Sequence, residues 1–148
     1  MAITVLDTNI FLNAKNSGEP YSTSSLQILD AVEDGAIQGM ISTISLAELC
    51  TGYYLQGDKK GKDELLAHLI STKGFVIVDL DVEIADSAAQ IRADTGLRLP
   101  DAIIIATGLA KDAKYVVTHD KELNKASRYI ETISSTELLS RFRHVKKK

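Results

Sequence analysis

The chain has 148 residues, 45% of them hydrophobic and 25% charged, with a net charge of −3 at pH 7, values in the range of a single globular domain and far from disordered or fibrous chains. Its longest apolar run, residues 102–106, is well short of the ~18 residues of a membrane span, and a single cysteine, Cys50, excludes an intrachain disulfide or a one-chain thiolate cage. The mild negative charge excludes a protein whose overall field captures nucleic acid, and the N-terminus, which meets Asp7 before an apolar signal core can form, leads us to expect a cytoplasmic protein.

Residues 2–7 form a β-branched apolar run ending in Asp7-Thr8-Asn9, which predicts a strand handing over to a helix or turn. Four hydroxyl residues at 22–25, ahead of Leu26, Ile28, Leu29 and Val32, predict a helix closed near Gly35, and residues 36–41 a second strand. A helical pattern runs from Ser45 with Leu46, Leu49 and Tyr53 on one face, is interrupted by the polar stretch 56–61, and is followed by another helix over 62–72. Residues 75–78 read as a third strand, 82–95 as an amphipathic helix stopped by Gly96, and 100–109 as a strongly apolar helix with Pro100 in its first turn. Strands at 115–118 and 129–133 and a short helix at 136–143 close the chain. Strands alternating with helices throughout predict an α/β fold, a three-layer α/β/α sandwich around a mostly parallel sheet.

In such a sheet the ligand site opens at the carboxyl ends of the strands, near the point where strand order reverses. Asp7 follows the first strand, Asp120 follows the fourth, Glu48 lies early in the helix after the second, and Asp101 begins the helix before the fourth. Each has a structural alternative. Asp7 and Asp120 can cap the helices that follow them, Ser45 and Glu48 have the spacing of a capping box, and Asp101 complements a helix dipole. Asp79 and Asp81, after the third strand, are rivals on position alone.

Four stretches narrow the choice: Val5-Leu6-Asp7-Thr8-Asn9, Ser45-Leu46-Ala47-Glu48-Leu49, Leu99-Pro100-Asp101-Ala102-Ile103-Ile104-Ile105-Ala106-Thr107 and Val116-Val117-Thr118-His119-Asp120. In order and spacing they resemble the signature blocks of PIN-domain ribonucleases over nearly the whole chain, and the short single-domain form resembles the VapC toxins of toxin-antitoxin pairs. The resemblance implies a PIN-like nuclease domain over residues 1–140 with a basic tail at 141–148. It also implies an acidic pocket of Asp7, Glu48, Asp101 and Asp120, and supporting hydrogen bonds from Asn9 and Thr118. Asp79 and Asp81 fall outside it. An RNA substrate, a cognate antitoxin and a homodimer are expected on the same ground. Two positions depart from the family pattern: His119 stands where asparagine is common, and Leu123 where an aromatic residue is common. His119 is open to two readings, a proton donor or phosphate contact beside the pocket, or a loop histidine without that duty.

Four carboxylates brought close together raise one another's pKa unless a cation intervenes, and an oxygen-only donor set selects Mg²⁺ or Mn²⁺ over zinc. Asp7, Asp101 and Asp120 are the expected metal ligands, with Glu48 completing the site, and RNA phosphodiester hydrolysis is the expected reaction. Lys15, Lys59, Lys60, Lys62, Arg92 and Arg98 are candidate phosphate contacts. The alternatives are a receiver-like phosphoacceptor, against which the single acid of Asp7-Thr8-Asn9 argues, and an inert PIN scaffold that binds RNA or protein.

Overall fold

Five short apolar runs pair into one sheet: β1 (Ala2–Leu6), β2 (Ile37–Ser42), β3 (Phe75–Val78), β4 (Tyr115–Val117) and β5 (Glu131–Ile133), in the order β3-β2-β1-β4-β5. The computed structural model describes residues 2–146. Every neighbouring pair of strands is parallel, so each connection crosses over the sheet through helical structure. Helices α1 (Thr8–Lys15), α2 (Ser22–Glu33), α3 (Thr43–Leu55), α4 (Lys59–Ser71), α5 (Val82–Thr95), α6 (Leu99–Ala110) and α7 (Ser135–Lys146), with a 3₁₀ helix over Lys121–Ala126, supply the outer layers.

The two faces of the sheet follow from the period-two alternation of strand side chains. Val5, Met40 and Val116 point into a core shared with α5 and α6, and their neighbours Leu6, Ile41 and Val117 into a second core shared with α1, α2, α4 and α7. Both faces are therefore covered, as the continuous apolar strands require. Helix α6 is buried at every position from Asp101 to Gly108 and packs on α5, β1, β2 and β4. Because it runs back across the sheet before β4, its first turn lies at the carboxyl edge, and this is what carries Asp101 there. Among the described residues no helix is long and apolar enough to cross a membrane.

Several element boundaries differ from the sequence reading for local reasons. Helix α3 starts at Thr43, capped by Ser42, whose Oγ accepts the Ile44 N–H at 3.2 Å. Ser45 is thus a buried residue inside the helix, and the Ser45–Glu48 capping box does not form. Helix α4 begins earlier than expected, at Lys59, because Asp58 accepts the Gly61 N–H at 2.8 Å and ends the polar turn. Helix α7 continues to Lys146, into the basic segment at 141–148, and Arg141 pairs with Glu131 at 2.7 Å and Glu137 at 3.0 Å; Lys147 and Lys148 lie outside the described residues.

Two glycines separate space from helix propensity. A Cβ on Gly74 would lie 2.2 Å from the Val32 carbonyl oxygen, whereas one on Gly52, inside α3, would meet nothing within 4 Å. Gly74→Ala is expected to lower stability in urea unfolding by about 1–3 kcal/mol through overpacking, and Gly52→Ala to raise it by up to about 1 kcal/mol. Equal effects at the two positions would contradict the packing of α2 against the β3 edge.

Candidate active site

The chain builds β2 and β3 outward on one side of β1 and then returns to the other side for β4, so strand order reverses between β1 and β4. Register pairs Leu6 with Val117, and the Asp7 N–H donates to the Val117 carbonyl at 3.0 Å. Asp7 and Thr118 therefore leave the sheet side by side at its carboxyl edge. Asp7 is only 5% exposed. Its Oδ1 accepts the Thr8 N–H at 2.8 Å, and its Oδ2 accepts the Thr118 hydroxyl at 2.7 Å and the Asn9 amide at 3.1 Å. Asn9 Oδ1 accepts the His119 N–H at 3.2 Å, and Thr118 Oγ1 accepts the Asp120 N–H at 3.0 Å. The turn after β1 and the turn after β4 are thus tied into one polar network, in which Asn9 and Thr118 both donate to Asp7 Oδ2.

The other acids are held by different means. Thr8 Oγ1 donates to Glu48 Oε1 at 2.8 Å, an anchor from α1 to α3 that the sequence reading did not assign, although Thr8 is the middle residue of the Asp7-Thr8-Asn9 motif. Asp120 caps the 3₁₀ helix, its Oδ1 accepting the Glu122 N–H at 2.9 Å, and Oδ2 has no hydrogen bond among the described residues. Asp101, also buried, lies in the first turn of α6, where Arg98 Nε donates to its Oδ2 at 3.4 Å. Asp79 and Asp81 follow β3, at the sheet edge; both are exposed, and Asp81 caps α5 through the Ile84 N–H at 2.8 Å.

Electrostatics link the four acids. Burial, reinforced by the negative charges of Asp101 and Glu48, pushes the Asp7 carboxyl up to about 6, against the lowering effect of its Thr118 and Thr8 hydrogen bonds. The Asp101 carboxyl is raised by burial and by the charges of Asp120 and Glu48, with Arg98 opposing. The Arg98 guanidinium is raised in turn by Asp101, Asp120 and Glu48, so its positive charge stands within reach of these three acids. Of the other candidate cations, Lys15 sits 3.8 Å from the Tyr53 ring centroid, Lys62 pairs with Asp63 at 2.5 Å, and Arg92 donates to the Leu97 carbonyl at 2.9 Å.

Excess negative charge, two carboxyls raised by burial and an all-oxygen donor set fit a hard divalent cation. Among the described residues no three acid, imidazole or thiol side chains are grouped closely enough to hold a metal ion by themselves.

His119 is engaged on both ring nitrogens and on one face of its ring. Its Nδ1 meets Asn13 Oδ1 at 2.6 Å, its Nε2 meets Ser135 Oγ at 2.7 Å, and its ring lies flat on Tyr21 with centroids 3.9 Å apart. Burial pushes its pKa down to about 4, so at neutral pH it is an uncharged wedge between α1, α2 and α7. Asn13, Tyr21 and Ser135 carried no local signal for this role, since the contact forms between distant segments.

Acidic side chains gathered at the switch point of a doubly wound parallel sheet define an α/β domain with its polar crevice where such folds take their ligands. A PIN domain model matches residues 4–129, and the chain belongs to the PIN domain family. In fold it is similar to a toxin-antitoxin complex from Klebsiella pneumoniae (TM-score 0.67, 23% identity, covering 89% of this chain and 97% of that one). It is likewise similar to FitAcB from Neisseria gonorrhoeae (TM-score 0.69, 24% identity, 90% and 98% covered). A third structure is VapC20 from Mycobacterium tuberculosis, a sarcin-ricin loop cleaving toxin (TM-score 0.68, 14% identity, 83% and 94% covered). No curated protein sequence gives a significant match.

Asp7 and His119 act in opposite directions on stability. The raised Asp7 favours the folded state fully below about 3.8 and loses that contribution as pH rises through about 6, a loss of roughly 3 kcal/mol. The depressed His119 favours it above about 6.5 and loses its contribution as pH falls through about 4. In metal-free protein, NMR titration is expected to find the Asp7 carboxyl protonating near pH 6 and the His119 ring neutral down to about pH 4; an Asp7 midpoint near the ordinary aspartate value would contradict the buried pocket.

Proposed function

We propose that this chain is a divalent-metal-dependent endoribonuclease, the toxin of a toxin-antitoxin pair, with Asp7, Glu48, Asp101 and Asp120 as its catalytic carboxylates. The observation that carries the reading is the buried Asp7, oriented at the sheet's switch point by Thr8, Asn9 and Thr118 and charge-coupled to Asp101 and Glu48. Membership of the PIN family and a fold shared with a sarcin-ricin loop cleaving toxin support RNA as the substrate class. With such a substrate the working compartment is the cytoplasm.

Asp7, Asp101 and Asp120 would hold Mg²⁺ or Mn²⁺, with Glu48 completing the site. When bound, the ion lowers the pKa of a water and offsets charge on the scissile phosphate. The chain's own groups supply orientation. Thr118 and Asn9 occupy Asp7 Oδ2 and leave a lone pair of Oδ1 beside the Thr8 N–H contact. Thr8 engages one oxygen of Glu48, and the other is free among the described residues to accept a proton from an attacking water. Arg98, with its side chain 74% exposed and only Nε engaged among the described residues, can turn its terminal nitrogens to a phosphate oxygen.

The antitoxin and the homodimer rest on surfaces as well as on kinship. An apolar groove of about 710 Å³ runs between α1, α2, α3 and α4, with Leu12 and Leu26 half exposed on its walls, and exposed apolar patches of this kind mark protein partners. Structural neighbours solved as toxin-antitoxin complexes support assigning it to the antitoxin. Exposed Tyr54 and Leu55 at the end of α3, with Ile70 on α4, support self-association.

The test is cleavage of tRNA, rRNA and mRNA by purified protein with Mg²⁺, Mn²⁺ or chelator. Cleavage is expected only with metal, to vanish in Asp7→Asn and Asp101→Asn, and to fall about 10–100-fold in Thr118→Val, which removes an orienting hydrogen bond. Undiminished cleavage in chelator or by Asp7→Asn would overturn the reading.

A further inference from the structure

Beside the acid pocket lies a second cleft, of about 200 Å³, bordered by Tyr21, Asp120, Lys121, Asn124, Ser134 and Glu137. Asp120 belongs to both. Tyr21 presents a prepared aromatic surface: its ring stacks on His119 with an interplanar angle of 8°, and both nitrogens of that imidazole are occupied by Asn13 and Ser135. The ring is therefore fixed by its neighbours before any ligand arrives, which reduces the ordering cost of binding. Tyr21 is 37% exposed, and its hydroxyl has no partner among the described residues.

The rim carries donors and acceptors together. Asn124 Oδ1 accepts the Thr132 hydroxyl at 2.5 Å, which leaves the Asn124 amide N–H groups free. Ser134 Oγ accepts the Glu137 N–H at 3.1 Å and keeps its own proton to donate. Lys121 forms no ion pair among the described residues, and Glu137 uses Oε1 for Arg141 and keeps Oε2 as an acceptor. Two carboxylates against one lysine disfavour a free anion, while mixed donors and acceptors beside an aromatic ring suit a neutral planar group. The volume lies below the ~300–1,000 Å³ of ordinary small-molecule pockets, the size for one ring system.

We propose that this cleft is a subsite for one nucleobase of single-stranded RNA, packed against Tyr21 and read at its edge by Asn124, Ser134 and Glu137. The proposal rests on the ribonuclease reading for the identity of its ligand. Single-stranded RNA is recognised through unstacked bases on aromatic side chains and hydrogen bonds to their exposed edges. Since Asp120 borders both pockets, the bound base belongs to a nucleotide next to the cleaved bond, and the subsite sets sequence preference there.

The test titrates hexamers of A, C, G and U ribonucleotides into metal-free wild type, Tyr21→Leu, Tyr21→Phe and Asn124→Ala, followed by amide NMR, with cut sites then mapped in Mg²⁺. Expected are shifts at Lys121, Asn124 and Ser134, unequal affinity among the four hexamers, about tenfold weaker binding in Tyr21→Leu with Tyr21→Phe near wild type, and an altered preference in Asn124→Ala. Mn²⁺ affinity should stay unchanged in all three variants. Folded Tyr21→Leu and Asn124→Ala proteins that bind and cut with wild-type strength and preference would overturn the subsite, as would inorganic phosphate shifting the same residues more strongly than any hexamer. RNA binding in the cleft without cleavage by wild type would count against the ribonuclease reading and for the subsite; cleavage without any cleft shift would do the reverse.

Discussion

The structure depends on holding one carboxylate, that of Asp7, in a buried position at the end of the central strand. Taking an acid out of water destabilises its charged form, and the chain offsets this only in part, with a backbone N–H from Thr8, a hydroxyl from Thr118 and an amide from Asn9. The pKa remains raised to about 6, because Asp101 and Glu48 add negative charge to the burial. A fold under selection for stability alone would put an apolar residue there. The unrelieved charge is the physical reason for expecting a cation, and the surrounding bonds are what would keep the carboxylate aimed once that charge is relieved.

Topology decides which acids can share that charge. Reversal of strand order between β1 and β4 opens the crevice beside Asp7, Thr118 and Asp120, while the antiparallel return of α6 adds Asp101 and the helix after β2 adds Glu48. Asp79 and Asp81 stand at the same height of the sheet but on its β3 edge, where one simply caps a helix. Capping and pocket membership are not exclusive. Asp7 and Asp120 each cap a helix with one oxygen, and for Asp120 the other oxygen stays free among the described residues.

The layers of the α/β sandwich and the succession of elements along the chain were legible because period-two strands and capped amphipathic helices carry local signals, as at β3 and α5, whose limits follow Gly96 and the flanking acids, whereas the spatial order of the strands rests on long-range pairing. The four acids were singled out through four motif blocks: Asp7 and Asp120 close behind strands, Asp101 in the first turn of α6, and Glu48 further inside α3. The capping box at Ser45 misread the start of α3, because Ser42, three residues earlier, offers the same hydroxyl and the helix extends to it. What stayed hidden depends on distant pairs: Thr8 with Glu48, and His119 with Asn13, Tyr21 and Ser135. A histidine beside an acidic motif invites a proton-transfer role, yet here its ring nitrogens are engaged by Asn13 of α1 and Ser135 of α7 and its ring stacks on Tyr21.

Under the proposed function Asp7, Asp101 and Asp120 together hold divalent metal. Anomalous X-ray scattering from crystals soaked in Mn²⁺ tests it most directly. A manganese peak within coordination distance of Asp7 and at least one of Asp101 and Asp120, lost in the Asp7→Asn protein, is the result the account predicts. Crystals that take up manganese only elsewhere, or the same peak persisting without the Asp7 carboxylate, would contradict it.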